Sequence, residues 1–194
     1  MGFSTSSWSY FVPYEEDIRA ALQRLREDVF ARGEYLTDWD ILNEPMDWDA
    51  AARRHTKWAN SKTITEETRQ HHVAEAKRYT ELAEREKHTK RPQRPPPLKT
   101  IEDLLEEQEE TGTHSILDIA EISSKPKLGA VTPFPPSELV TYFNTDKPTR
   151  EVIEDRYEWG ALEKFTSKRY RGIYIIAYKD QQPTEIFFAG SSGL

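Results

Sequence analysis

Residues 172–178 carry only apolar and aromatic side chains behind one glycine: Gly172, Ile173, Tyr174, Ile175, Ile176, Ala177 and Tyr178. An extended strand points successive side chains to opposite faces, so this run is apolar on both. Only a central strand covered from two sides tolerates that. Asp180, Gln181, Gln182 and Pro183 supply a turn, and residues 185–189 (Glu185, Ile186, Phe187, Phe188, Ala189) return as a second strand. Pro183 stands at the start of that strand, where its missing N–H is tolerated. The closing Gly190, Ser191, Ser192 and Gly193 read as a flexible end or a loop over the sheet edge. A hairpin of this kind needs further strands beside it and helices upon it.

Both halves of the chain offer them. Residues 8–12, Trp-Ser-Tyr-Phe-Val, form an aromatic and β-branched strand ended by Pro13. A helix begins near Glu15, with Glu15, Glu16 and Asp17 in its first turn, where the helix dipole favours negative charge. Ile18, Leu22, Leu25 and Val29 recur at helical spacing, and Gly33 is the expected C′ residue.

The middle is different. Asp38-Trp39-Asp40 recurs nine residues later as Asp47-Trp48-Asp49, with Pro45 between. Asp47 is the expected N-cap of a helix that sets Trp48, Ala51, Ala52, His55 and Trp58 on one face. Thr63 and Glu66 have capping-box spacing and open a long, very polar helix to about His88. From Lys87 to Lys99 the chain is basic and proline-rich, and Pro95, Pro96 and Pro97 impose extended geometry.

Beyond it, Thr100 caps a short acidic helix anchored by Leu104 and Leu105, and Gly112 turns the chain. Residues 115–122 alternate like a strand. Pro133, Pro135 and Pro136 form a second rigid segment. Ser137 opens a helix ended by Asn144, and Thr149 opens another, with Tyr157 and Trp159 near its end. The expected architecture is α+β. A small, mainly antiparallel sheet is built from both termini, with helices on one face and the segments after Pro97 adding cover to the two-faced strand. One domain spans residues 1–194, a Trp-rich, polar helical-hairpin insertion occupies 34–91, and a proline-rich linker occupies 92–99.

Composition narrows the function. The chain has 194 residues with no Cys, which removes disulfides, thiolate zinc sites, iron–sulfur clusters and cysteine nucleophiles together. Its 5 Trp, 9 Tyr and 8 Phe argue for a packed core. The formal charge of −7 repels nucleic acid and anionic membrane and suits a partner with a basic face. No apolar run reaches membrane-spanning length, and the first residues lack a secretion signal, so a cytoplasmic setting is expected. The pattern around Gly2 fits a loose N-myristoylation template, but no basic cluster follows it.

Four constellations could carry chemistry. Gly112-Thr113-His114-Ser115, followed by Asp118, would place His114, Ile116 and Asp118 on one strand face. An imidazole, a hydroxyl and a carboxylate then gather at a strand start, a catalytic arrangement, with turn-making as the plain alternative. Glu67, His71 and Glu75 share a helix face but lack any established ligand motif, so ordinary solvated surface is the better account and no metal is expected. The six Lys and Arg of residues 85–99 lack interleaved aromatics, which argues against nucleic acid. The two Asp-Trp-Asp triplets combine an interface-type indole with acids that steer a basic partner. Trp39 with Asp38, Asp40, Asp47 and Asp49 is the expected binding surface, and Trp48 the core anchor.

No Gly-rich phosphate loop or serine-hydrolase elbow is present, and no cofactor is expected. The expectation is a partner-binding protein, most concretely an inhibitor of another protein of the immunity or antitoxin kind. The alternatives are a small hydrolase or transferase using His114, Ser115 and Asp118, and a scaffold or assembly subunit.

Overall fold

The computed structural model describes residues 6–43, 47–61, 64–90 and 92–192. Gly2, Pro45, Thr63 and Gly193 lie outside them. The fold is α+β, with a five-stranded sheet in the order β1-β5-β4-β3-β2. The chain divides into two compact units, Met1–Asp38 with Pro96–Leu194, and Trp39–Pro95.

The first unit holds the sheet. Strand β1 (Ser6–Pro13) pairs antiparallel with β5 (Gln182–Ser192), and β5 pairs antiparallel with β4 (Arg171–Lys179). Strands β3 (Ala130–Pro133) and β2 (Glu121–Ile122) extend it in parallel. Asp180 and Gln181 both have positive φ, 50° and 64°, so the hairpin closes through a tight two-residue turn of type I′.

Helices cover both faces of the sheet, not one. On one face α1 (Ile18–Arg32) contributes Leu22, Leu25 and Val29, and α5 (Ile101–Glu107) contributes Leu104. They meet Trp8, Val131, Ile186 and Phe188 from the strands. On the other, α6 (Pro136–Phe143), α7 (Arg150–Glu158) and α8 (Glu163–Thr166) bring Phe143, Ile153 and Phe165 against Phe11, Ile173, Ile175 and Phe187. The two-faced apolar pattern of β4 and β5 requires this. Burying one Phe contributes roughly 1.5–3 kcal/mol, and Phe187 and Phe188 point to opposite sides.

Several terminators form as expected. Gly33, at φ 67°, is the left-handed C′ residue of α1, and Asn144, at φ 58°, ends α6. Asp17 is itself the N-cap of α1, accepting from the Arg19 and Ala20 N–H groups, so the helix starts at Ile18 and not at Glu15. Pro136 occupies the first turn of α6, where a missing N–H is harmless, and Ser137 is not its cap.

The tail does not flank the sheet. Gly190, Ser191 and Ser192 continue β5 and are buried, Gly190 and Ser191 paired to both β1 and β4 and Ser192 to β1. The Trp8 indole explains why. A Cβ on Gly190 would fall 2.5 Å from the Trp8 ring, and one on Gly172 would fall 2.6 Å from it. The indole therefore lies across a glycine pair, and its Nε1–H donates to Ser192 Oγ at 3.0 Å.

The second unit is a helical hairpin. Helix α3 (Trp48–Ala59) packs beside α4 (Glu66–Lys87), preceded by the short α2 (Asp38–Asn43). Asp47 caps α3 by accepting from the Ala50 N–H at 2.7 Å, and Thr65 caps α4. Among the described residues no helix is long and apolar enough to cross a membrane.

Candidate functional site

The structure does gather His114, Ser115 and Asp118, but on a tight turn and not along a strand. Residues Ile116–Asp118 form a 3₁₀ turn capped by Ser115, and β2 begins only at Glu121. Ser115 Oγ accepts from the Leu117 N–H at 3.2 Å, and a side-chain hydroxyl that satisfies the backbone favours a turn over a ladder. The alternation of residues 115–122 is thereby overridden, and the shared strand face of His114, Ile116 and Asp118 does not form.

Most polar groups of this turn are engaged by the fold. Ser115, 2% exposed, also shares a hydrogen bond with the Thr113 hydroxyl at 2.9 Å. Its carbonyl accepts from Ser192 Oγ at 2.8 Å, and the Leu117 carbonyl accepts from the buried Arg26 at 3.2 Å. Asp118 Oδ1 accepts from the Thr113 N–H at 2.8 Å, while Oδ2 is buried without a donor. Burial pushes the Asp118 carboxyl above the usual carboxylate range, against the Thr113 N–H that favours its ionised form. Tyr170 is raised too, by burial and then by the Asp118 charge. His114 holds a positive φ of 53° and is half-buried.

The Asp-Trp-Asp triplets are partly consumed by the chain itself. The Asp38 N–H donates to Gln108 Oε1 at 2.7 Å, and its carboxylate accepts from the Thr111 hydroxyl at 2.5 Å. Asp40 pairs with Arg94 at 2.9 Å, and that guanidinium lies 5.9 Å from the centroid of the Trp39 ring. Trp39 is half-buried, as is Trp48, which stacks on Tyr79 at 5.7 Å. Asp47 is a helix cap, while Asp49 is exposed.

On α4 it is His72, and not His71, that faces α3. Its Nδ1 lies 3.2 Å from His55 Nδ1, and both rings contact Trp58. Among the described residues no three His, Asp or Glu side chains are grouped to hold a metal ion.

Sequence reasoning passed over a cleft of about 430 Å³ in the first unit. Its floor is Ser7 on β1 and Ser191 on β5, a directly opposed pair. Its wall is the junction of α7 and α8, with Tyr157, Glu158, Glu163 and Ser167. Gly160, at φ 72°, lets the chain reverse there, because few residues other than glycine adopt that conformation. The Gly160 N–H bonds the Tyr157 carbonyl and the Ala161 N–H the Arg156 carbonyl. Fully buried Leu162 then pins the junction to the core. Tyr157 leans edge-on against Phe187.

Three properties set this cleft apart. Trp159, between two lining residues in the chain, is 81% exposed. Glu158 and Glu163 enter no ion pair among the described residues. Ser191 is 3% exposed, yet its hydroxyl meets no hydrogen-bond partner among them. The sequence signal was Trp159 at a helix end, where packing does not need it. Nothing local announces Ser7 and Ser191, which come from opposite ends of the chain.

Fold and site together define an α+β protein whose sheet, helix-covered on both faces, carries an acidic cleft with Tyr157 in its wall. Comparison with known proteins finds no matching family model, no matching curated protein and no matching solved structure.

Proposed function

We propose that this chain is a partner-binding protein whose partner presents a basic surface. The observation that carries this reading is Trp159, an indole 81% exposed and next in the chain to Glu158, which like Glu163 enters no ion pair among the described residues. An exposed Trp contributes little to folding, whereas Trp is the residue type most enriched at binding hot spots. Unpaired carboxylates steer a cationic partner and raise its association rate. The net charge of −7 acts in the same direction over the whole surface. In its most concrete form the partner is a protein that this chain neutralises, as an immunity protein or antitoxin does. The test is co-purification from the native host with mass spectrometry, wild type beside Trp159→Ala. A stoichiometric basic protein recovered with the wild type and lost with the variant is expected. Recovery of no such protein with the wild type removes the reading.

A second reading, a small hydrolase or transferase, has one observation in its favour: the Asp118 carboxylate and the Tyr170 hydroxyl both border Gly112, and burial raises both. Turnover of activated esters or phosphoesters that is lost in Asp118→Asn supports it. A wild-type protein inert across such a panel ends it.

A further inference from the structure

The lining of the α7–α8 cleft says what chemistry it receives. Every polar side chain on its surface can accept a hydrogen bond: the Glu158 and Glu163 carboxylates and the hydroxyls of Ser7, Tyr157, Ser167 and Ser191. Thr166, also lining it, already donates its hydroxyl proton to the Leu162 carbonyl, so towards the cleft it too is an acceptor. No Lys, Arg or His lines it. Such a site repels an anion and leaves a neutral apolar group facing unsatisfied carboxylates. It calls for a cation rich in donors.

Two further observations narrow the occupant. Ser191, 3% exposed overall, lines the cleft floor, where its hydroxyl is open to an incoming donor. The cleft therefore binds a group long enough to reach the sheet. Its volume of about 430 Å³ lies at the lower end of the range of ligand sites, too small for a helix and suited to one long side chain. Tyr157 in the wall offers a flat face on which a planar cation stacks, and the exposed Trp159 follows Glu158 in the chain.

From these we infer that the cleft is the receptor for an arginine side chain of the protein partner. Its guanidinium is held between the Glu158 and Glu163 carboxylates, with its inner donors towards Ser191. Arginine is favoured over lysine because its planar fork carries five donors and no acceptor, matches carboxylates bidentately and stacks on aromatic rings such as Tyr157. This inference rests on the partner-binding reading and gives that reading an address.

The probe is the tripeptide acetyl-Gly-Arg-Gly-amide, titrated into the full chain and followed by amide chemical shifts and Trp fluorescence. The lysine tripeptide runs beside it. The expected result is saturable shifts at Gly160, Ser167 and Ser191, with the arginine peptide binding at least threefold more tightly than the lysine peptide. Glu158→Gln/Glu163→Gln weakens binding at least tenfold, and Trp159→Ala weakens it several-fold. All three substituted residues are exposed, so the variants keep the wild-type spectrum away from the cleft. Shifts absent from these residues, equal for the two peptides, or unchanged in the double variant overturn the inference. The two proposals fail separately. A partner recovered equally by wild type and Glu158→Gln/Glu163→Gln ends the arginine site and leaves the partner reading standing. Peptide binding at the cleft with no recoverable partner does the reverse.

Discussion

The two units of this chain are held together by different means. In the first, large side chains are wholly excluded from water: Phe187 and Phe188 are 1% and 0% exposed, with Leu22, Leu104, Ile153 and Leu162 around them. In the second, the buried apolar residues among those described are Ala52, Ala59 and Ala83. The α3–α4 seam is closed by alanine contacts and by half-exposed rings, Trp48 on Tyr79 and His55 against His72 and Trp58. Apolar burial scales with area, so the sheet unit has a large reserve. The hairpin depends on ring geometry and on the charge state of imidazoles. A polar helix pair can thus be specific without being strongly stabilised.

The largest test of that contrast removes one ring from each unit. Phe187→Ala is expected to cost about 3–5 kcal/mol in urea unfolding, as for other buried aromatic truncations. Trp48→Ala, from a half-exposed stack, is expected to cost about 0.5–1.5 kcal/mol beyond its modest area loss. Equal losses would break the comparison. Next in size is Gly190→Ala, whose new Cβ would lie 2.4 Å from the Arg171 carbonyl oxygen and against Trp8. An overpacked central strand of this kind loses about 1–3 kcal/mol. Trp8→Ala in the same background should recover part of it, because the ring is one of the two obstacles.

Acidification sharpens the comparison from the other side. Burial, then the His55 and His71 charges, hold His72 below its ordinary value. Of the Nδ1 atoms of His55 and His72, facing at 3.2 Å, only one can be the donor. The unfolded chain takes up the proton more readily, so stability is complete above the unfolded histidine pKa of about 6.5 and falls as pH drops through it. Hydrogen exchange should therefore quicken in α3 and α4 between about pH 7 and 5, while the β4 and β5 amides change little in that window. His55→Gln should remove most of the pH dependence, and an unchanged profile in that variant would refute the ring-pair account. The smallest expected stability effect is that of Trp159→Ala, under about 0.5 kcal/mol, because the indole is 81% exposed. A large loss would show that Trp159 supports the fold and is no binding residue.

How far the fold was legible follows from how local each signal is. Gly33 after α1, Asp47 before α3, Asn144 after α6 and the apolar run into β4 each act within a few residues, and each formed. Strand β3 went unread because Pro133, Pro135 and Pro136 suggest a rigid loop. Its pairing is parallel and long-range, with Val131 opposite Gly172. The candidate turn was legible as a cluster but not in its geometry. Whether Ser115 caps Leu117 or alternates along a strand depends on Ser192 arriving from the far end of the chain to bond its carbonyl.

By itself the sequence determined the periodic elements, the helix caps, the two-sided demand of the C-terminal hairpin and the acidic, cysteine-free chemistry. All of these act over one or two turns of chain or follow from composition. Only the tertiary structure decided that the glycine-serine tail belongs inside the sheet, since that required a Trp8 indole to lie over Gly172 and Gly190. It also decided that Trp39 and Asp40 receive the chain's own Arg94, while Trp159 stands open and Glu158 and Glu163 have no ion pair among the described residues. The physical reason is common to all three. Burial and charge neutralisation are properties of what meets in space, and contacts between distant residues leave no local pattern to read.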